Sequence, residues 1–238
     1  MAQDEELIES MGRNDALRGM GISFLRETAP FRYTYHFQWL GRPIIQMPQD
    51  IVAIQEIVWR VRPRAIVETG IAHGGSLVLS ASLLELLGGD GIAIGIDIEI
   101  REHNRKALQD HALAARIRML EGSSTDPAVA ARARDLVGER KPVVVILDSN
   151  HTHAHVMQEL RMYAPLVGKG SYVIVLDTAI EDMPQGTYPD RPWGKGNNPR
   201  TAVGEFLKEN RRFVVDAEFR DKLVISTAPD GYLKCIEE

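Results

Sequence analysis

VVVILDSNH, residues 143–151, and YVIVLDT, residues 172–178, are runs of β-branched and aliphatic residues that lead into an aspartate. Continuous apolar runs of this length suit strands buried on both faces of a parallel sheet. Ligands of open α/β sheets bind beyond the carboxyl ends of the strands. Asp148 and Asp177 are therefore expected at one edge of the sheet. On neighbouring strands they would stand about 4.8 Å apart. Two carboxylates that close repel each other unless a proton or a cation sits between them. A bound divalent metal is the simplest resolution.

Outward from these runs, strand and helix patterns alternate. Strands are expected at 65–68, 92–98, 116–120, 143–148 and 172–177, and helices at 76–87, 102–112, 126–137 and 153–166. Such βαβ alternation implies right-handed crossovers and a parallel sheet with helices on both faces. Upstream, Ile51, Ile54, Ile57, Val58 and Val61 recur at helical spacing until Pro63. Residues 1–47 read as an N-terminal extension, with a helix over 5–18 and an extended aromatic segment over 31–40; residues 48–238 read as the main domain. An irregular segment, 178–198, holds three prolines and three glycines. Loops this long are usually lids or disordered. Asn198 then suits an N-cap and Pro199 a first helical turn, opening a helix to 210. Residues 213–219 and 223–228 read as a terminal antiparallel pair.

Bulk properties narrow the function. The 238 residues are 44% hydrophobic and 26% charged, with a net charge of −5. A mildly acidic chain without long basic runs is a poor match for nucleic acid or anionic membrane. Cys235 is the one cysteine, so no intrachain disulfide forms. The opening MAQDEELIES is unlike a signal peptide, and the apolar stretch 77–87 is too short to span a bilayer. A cytoplasmic location is expected.

A second constellation lies at the ends of the first three strands. VETGIAHGGS supplies Glu68, Gly70, Ala72, Gly74 and Ser76. A strand–glycine-turn–helix lets a ligand approach the backbone and presents a helix N-terminus. The glycine spacing matches neither the dinucleotide fingerprint nor the phosphate loop. Asp97 ends the next strand, where a carboxylate can accept both hydroxyls of a ribose. Ser123 and Ser124, in EGSS, are placed to frame an adenine. Acid, glycine turn and acid at successive strand ends indicate an adenosine-type ligand.

Glu68-x-Gly70, the small Ala72 and Asp97 resemble the S-adenosylmethionine site of class I methyltransferases. More closely, VETGIAHGGS, GIDIEIREHNR, EGSSTD, LDSNHTH and RPWGKGNNPRTAVGEFL resemble the family named after cephalosporin hydroxylase. That family groups with metal-dependent rhamnosyl and macrolide-sugar O-methyltransferases, and the resemblance covers roughly residues 35–235. It implies a Rossmann-like class I methyltransferase fold, α/β, with a seven-stranded, mostly parallel sheet. It also implies S-adenosylmethionine bound by Glu68, Gly70, Ala72, Gly74, Ser76, Asp97, Ser123, Ser124 and Asp148. By the same resemblance, Asp148 and Asp177 hold Mg2+. The usual second acid or amide beside Asp177 is missing, leaving Thr178, Glu181 or Asp182 to complete the shell. Oxygen ligands select magnesium, calcium or manganese over zinc or copper. By that resemblance His151 occupies the position of the general base, a role that suits a histidine, the residue type whose unperturbed pKa is about 6.5.

The reaction so implied is metal-assisted deprotonation of an acceptor hydroxyl followed by in-line methyl transfer. The acceptor is expected to be a sugar or a glycosylated natural product. The loop 178–198 is expected to close over it, with Tyr188 and Trp193 stacking and Arg191, Lys195, Asn198 or Arg200 hydrogen-bonding. Tyr33, Tyr35, Trp39 and Gln46 either cover the donor or meet another subunit, and a homo-oligomer is expected. Two alternatives stay open. A hydroxylase would need two histidines and a carboxylate, such as His151, His153 and Asp148, on one metal. A non-catalytic cofactor-binding subunit would fit the incomplete acid pair beside Asp177.

Overall fold

The computed structural model describes residues 2–238; Met1, first residue of the expected extension, lies outside the described residues. The chain opens with α1 (Ala2–Gly12) and α2 (Asp15–Thr28). The pattern predicts one helix over 5–18. The structure breaks it at Asn14, whose side chain accepts from the Ala16 and Leu17 amides and caps α2. Two single-turn helices follow, Ala29–Phe31 and Tyr33–His36, hinged at Arg32 with a left-handed φ of 53°. The aromatic segment is thus extended only at its end, in the hairpin β1 (Phe37–Trp39) and β2 (Arg42–Ile44).

The alternation then runs as α3 (Pro48–Val61), β3 (Ala65–Thr69), α4 (Gly75–Leu87), β4 (Ile92–Asp97), α5 (Glu102–Gln109) and β5 (Ile117–Glu121). It continues with α6 (Pro127–Val137), β6 (Val143–Leu147), α7 (His153–Tyr163) and β7 (Tyr172–Val175). Beyond the irregular segment come α8 (Pro199–Glu209), β8 (Phe213–Val215), α9 (Ala217–Lys222) and β9 (Tyr232–Cys235). Seven strands form one sheet in the order β5-β4-β3-β6-β7-β9-β8. β3 to β7 are parallel, and β9 runs antiparallel between β7 and β8. This is the class I methyltransferase architecture.

The terminal pair departs from expectation. Residues 223–228 form no strand, and the partner of β8 is Tyr232–Cys235. The reason is tertiary. Ser226 and Thr227 donate to the buried Asp50 carboxylate, which also accepts from the Tyr232 hydroxyl. Those bonds hold an apolar, strand-like sequence as a strap.

Alternation along each strand feeds two cores. Val143, Val145 and Leu147 face α6, α7 and α8, whereas Val144 and Ile146 face α3 and α4. Strand order reverses between β3 and β6, which opens a crevice at their carboxyl ends. The hairpin closes one side of it. Arg42 donates to the His73 carbonyl and to Asn104 Oδ1, and the Trp39 indole donates to Ser82. Among the described residues no helix is long and apolar enough to cross a membrane.

Candidate active site

The crevice is a cavity of about 580 Å³. Its floor is the join between β3 and β6. The Asp148 amide donates to the Thr69 carbonyl, so the two strand ends leave the sheet together. Gly70 makes this possible. Its φ is 88°, and a Cβ there would stand 2.2 Å from the Asp148 carbonyl oxygen. Gly75 plays a similar part against the hairpin, since a Cβ would stand 2.2 Å from the Pro43 carbonyl.

Asp148, His151 and Asp177 converge on this floor, each offering an atom within 4.8 Å of the others. Asp177 lies past the end of β7 with a left-handed φ of 57°, a conformation costing a non-glycine residue roughly 1–2 kcal/mol. His151 Nε2 stands 3.3 Å from Asp177 Oδ2. The Trp193 ring meets the imidazole edge-on, centroids 4.7 Å apart. Desolvation first, then the Asp177 and Glu68 carboxylates, push the Asp148 carboxyl well above the usual range. Desolvation and Asp177 also raise the Tyr188 phenol. Such crowding of acids is what a cation relieves, and the two carboxylates fit a hard ion that keeps several of its own waters. The imidazole is a poor ligand for such an ion and stays available for a proton.

Thr178 and Glu181 require correction, because neither reaches this cluster. The turn at Asp177 opens a short 3-10 helix, Thr178–Asp182, that carries both away. The Thr178 hydroxyl donates to the Pro229 carbonyl. Glu181 Oε2 accepts from the Gly196 amide and the Asn198 side chain. Asp182 is paired with Arg200, which also reaches Asp230. The two-histidine set of a hydroxylase is not assembled either. His153 bonds Thr201 and Glu205, and His155 bonds Ser124, Ser149 and Glu159.

The donor-side residues fall into two groups. Gly70, Ala72, Ser76 and Asp148 line the cavity, together with Ser149, which the sequence did not single out. Glu68 is 1% exposed; its Oε1 accepts from Ser76, and its Oε2 has no partner. Burial pushes its carboxyl up to about 7. Gly74 (φ 86°) packs on Leu108, and Asp97 Oδ2 accepts from the Ile71 and Ala72 amides at 2.7 and 3.1 Å. Asp97 thus shapes the glycine turn from behind. Ser123 bonds Thr125, and Ser124 joins Ser149 and His155.

Gln46 is the clearest addition. It is 2% exposed, lines the cavity, and neither polar atom of its amide has a partner. Leaving such a group unpaired costs about 1–3 kcal/mol, so it marks a place for a polar ligand. The sequence places Gln46 in the segment that covers the donor or meets another subunit without marking it as a ligand contact. Tyr188, Arg191 and Trp193 also line the cavity, as do Arg32, Tyr33 and Tyr35 from the N-terminal segment. Arg200 and Asn198, expected on the acceptor, are occupied by Asp182, Asp230 and the cap of α8.

Comparison with known proteins agrees with the fold. The family described as "Rhamnosyl O-methyltransferase/CmcI" matches residues 31–236. The rhamnosyl O-methyltransferase of Mycobacterium tuberculosis strain H37Rv is 31% identical over 187 residues, 77% of this chain and 72% of that one. Among solved structures, an apo form of CmcI superposes with a TM-score of 0.60 at 22% identity, covering 86% of this chain and 78% of its own. A Mg–SAM form of CmcI gives 0.58 at 23%, covering 85% and 77%.

Proposed function

The chain belongs to the rhamnosyl O-methyltransferase/CmcI family, and from that premise we propose that it transfers the methyl group of S-adenosylmethionine to a hydroxyl of a sugar or other polyhydroxylated acceptor, assisted by Mg2+. The observation that carries this reading is the convergence of Asp148, His151 and Asp177 on the floor of a cavity whose other wall is the Gly70–Ser76 turn. The products are the methyl ether, S-adenosylhomocysteine and a proton.

Glu68, whose Oε2 has no hydrogen-bond partner, would supply a carboxylate to the donor's ammonium group. Ser76, the amide end of α4 and the Gln46 amide suit its carboxylate. Asp97, Ser123 and Ser124 take the nucleoside end. Asp148 and Asp177 would hold the magnesium ion, without Thr178 and Glu181. When bound, the ion supplies a Lewis acid that lowers the pKa of the acceptor hydroxyl, and S-adenosylmethionine supplies the methyl group. His151 takes the hydroxyl proton, and the Asp177 carboxylate, 3.3 Å from Nε2, orients the ring. A positioned base of this kind contributes typically ~10²–10⁴-fold. Trp193 fixes the other edge of the imidazole and, with Tyr188, excludes water from the reacting atoms.

Calorimetry with S-adenosylhomocysteine and magnesium chloride tests this directly. Micromolar binding of the nucleoside is expected, and magnesium is expected to bind the native chain but not Asp148→Ala. A native chain that binds neither probe contradicts the proposal.

A further inference from the structure

The charge of the cavity is divided. Asp148 and Asp177 lie on its floor, and Arg32 and Arg191 stand at its outer wall. Among the described residues neither guanidinium has a carboxylate within ion-pair distance. Each lies on an aromatic ring instead: Arg32 is 4.2 Å from the centre of Tyr35, and Arg191 is 5.2 Å from that of Trp193. The neighbouring Arg200 shows the contrast, being neutralised by both Asp182 and Asp230. Stacking restrains the two cavity guanidiniums and leaves their in-plane N–H groups free for a ligand.

The geometry sets a length. Arg191 and the His151 imidazole are no more than about 10 Å apart, since Trp193 lies 5.2 Å from one and 4.7 Å from the other. Both groups line the one cavity, and that bound lets a single ring reach His151 with a hydroxyl and the arginine with a charged substituent. Arg32 approaches from the N-terminal segment in a left-handed conformation (φ 53°). Such a conformation in a non-glycine residue persists only where its surroundings hold it, and it recurs at ligand clamps.

We propose that the methyl acceptor carries an oxyanion, a carboxylate as in a uronic acid or a phosphate ester, held between Arg32 and Arg191 while a hydroxyl of the same ring faces His151. This rests on the methyltransferase reading and narrows its substrate class from polyhydroxylated to acidic. Guanidinium matches both oxyanions through paired N–H donors.

Three probes sharing one ring and one aglycone separate the possibilities: nitrophenyl glucoside, nitrophenyl glucuronide and the corresponding glucoside phosphate ester. Each is titrated into the full chain with magnesium chloride, with and without S-adenosylhomocysteine. An acidic probe is expected to bind about tenfold more tightly than the glucoside, and whichever does so identifies the oxyanion. That preference should fall severalfold in Arg32→Gln and in Arg191→Gln and vanish in the double variant. It should also shrink at about 1 M sodium chloride, where charges are screened beyond about 3 Å. Retained S-adenosylhomocysteine binding shows that the variants fold. Equal affinity for all three probes, no binding of either acidic probe, or a preference untouched by the double variant overturns the inference. Those outcomes with the donor product still bound leave the methyltransferase reading standing, whereas loss of donor binding by the native chain counts against that reading alone.

Discussion

Replacing Glu68 with glutamine should make the ligand-free chain more stable and a weaker binder of its donor. The native carboxyl is 1% exposed, accepts one bond from Ser76, and leaves Oε2 unpartnered. Burial raises its pKa from 4.5 to about 7. At 1.36 kcal/mol per pKa unit, holding it ionised in the fold costs about 3 kcal/mol. The sign follows from proton counting. Between pH 4.5 and about 7 the folded chain binds the extra proton, so its stability declines as pH rises through that window and stays reduced above it. Glutamine does not titrate and keeps the bond with Ser76. Relative to native, Glu68→Gln should therefore gain about 2–3 kcal/mol at pH 8 over its difference at pH 4. For a chain of this size that is a relative rise in Tm of roughly 4–12 °C. Thermal unfolding in EDTA without donor, at both pH values, reads it. The same variant should bind S-adenosylhomocysteine about 10–100-fold more weakly, because a charged hydrogen bond to the ammonium is lost. A variant with no relative gain at pH 8, or with native donor affinity, would refute the reasoning.

Four further outcomes are expected. His151→Ala should lower kcat by ~10²–10⁴ with S-adenosylhomocysteine affinity within about twofold of native, and unchanged turnover in a chemistry-limited assay removes it as base. Asp148→Ala should abolish the response of turnover to EDTA, and residual activity that EDTA still suppresses places the ion elsewhere. Gly70→Ala, at φ 88° with its new Cβ 2.2 Å from the Asp148 carbonyl, should cost about 3 kcal/mol or more in urea unfolding and eliminate donor binding. A native-like midpoint there contradicts the close strand approach. Binding of S-adenosylhomocysteine at pH 6 should release nearly one proton as Glu68 ionises, and calorimetric enthalpies that do not vary with buffer ionisation exclude it.

The parallel sheet was legible because its strands are short, mostly apolar and spaced by helices; 143–148 and 172–177 announce themselves. The carboxylates at their ends were legible for the same reason, since strand termini fix where Asp148 and Asp177 emerge. What was hidden depended on distant partners. The stretch 223–228 has strand-like residues, yet Asp50, far away in sequence, claims Ser226 and Thr227. Thr178 and Glu181 follow Asp177 closely in sequence, but the left-handed turn there sends them elsewhere, and no glycine marks that turn. Gln46 is informative only once its amide is known to be buried and unpaired. Arg32 joins the cavity through a hinge between two short turns that no periodicity reports.

Anomalous diffraction from a crystal grown with manganese in place of magnesium and with S-adenosylhomocysteine tests the central claim most directly. One strong peak is expected at the Asp148 and Asp177 carboxylates, with the nucleoside's amino-acid end beside Glu68, Ser76 and Gln46. A peak on other side chains, or a nucleoside lodged outside the Gly70–Ser76 turn, would contradict it.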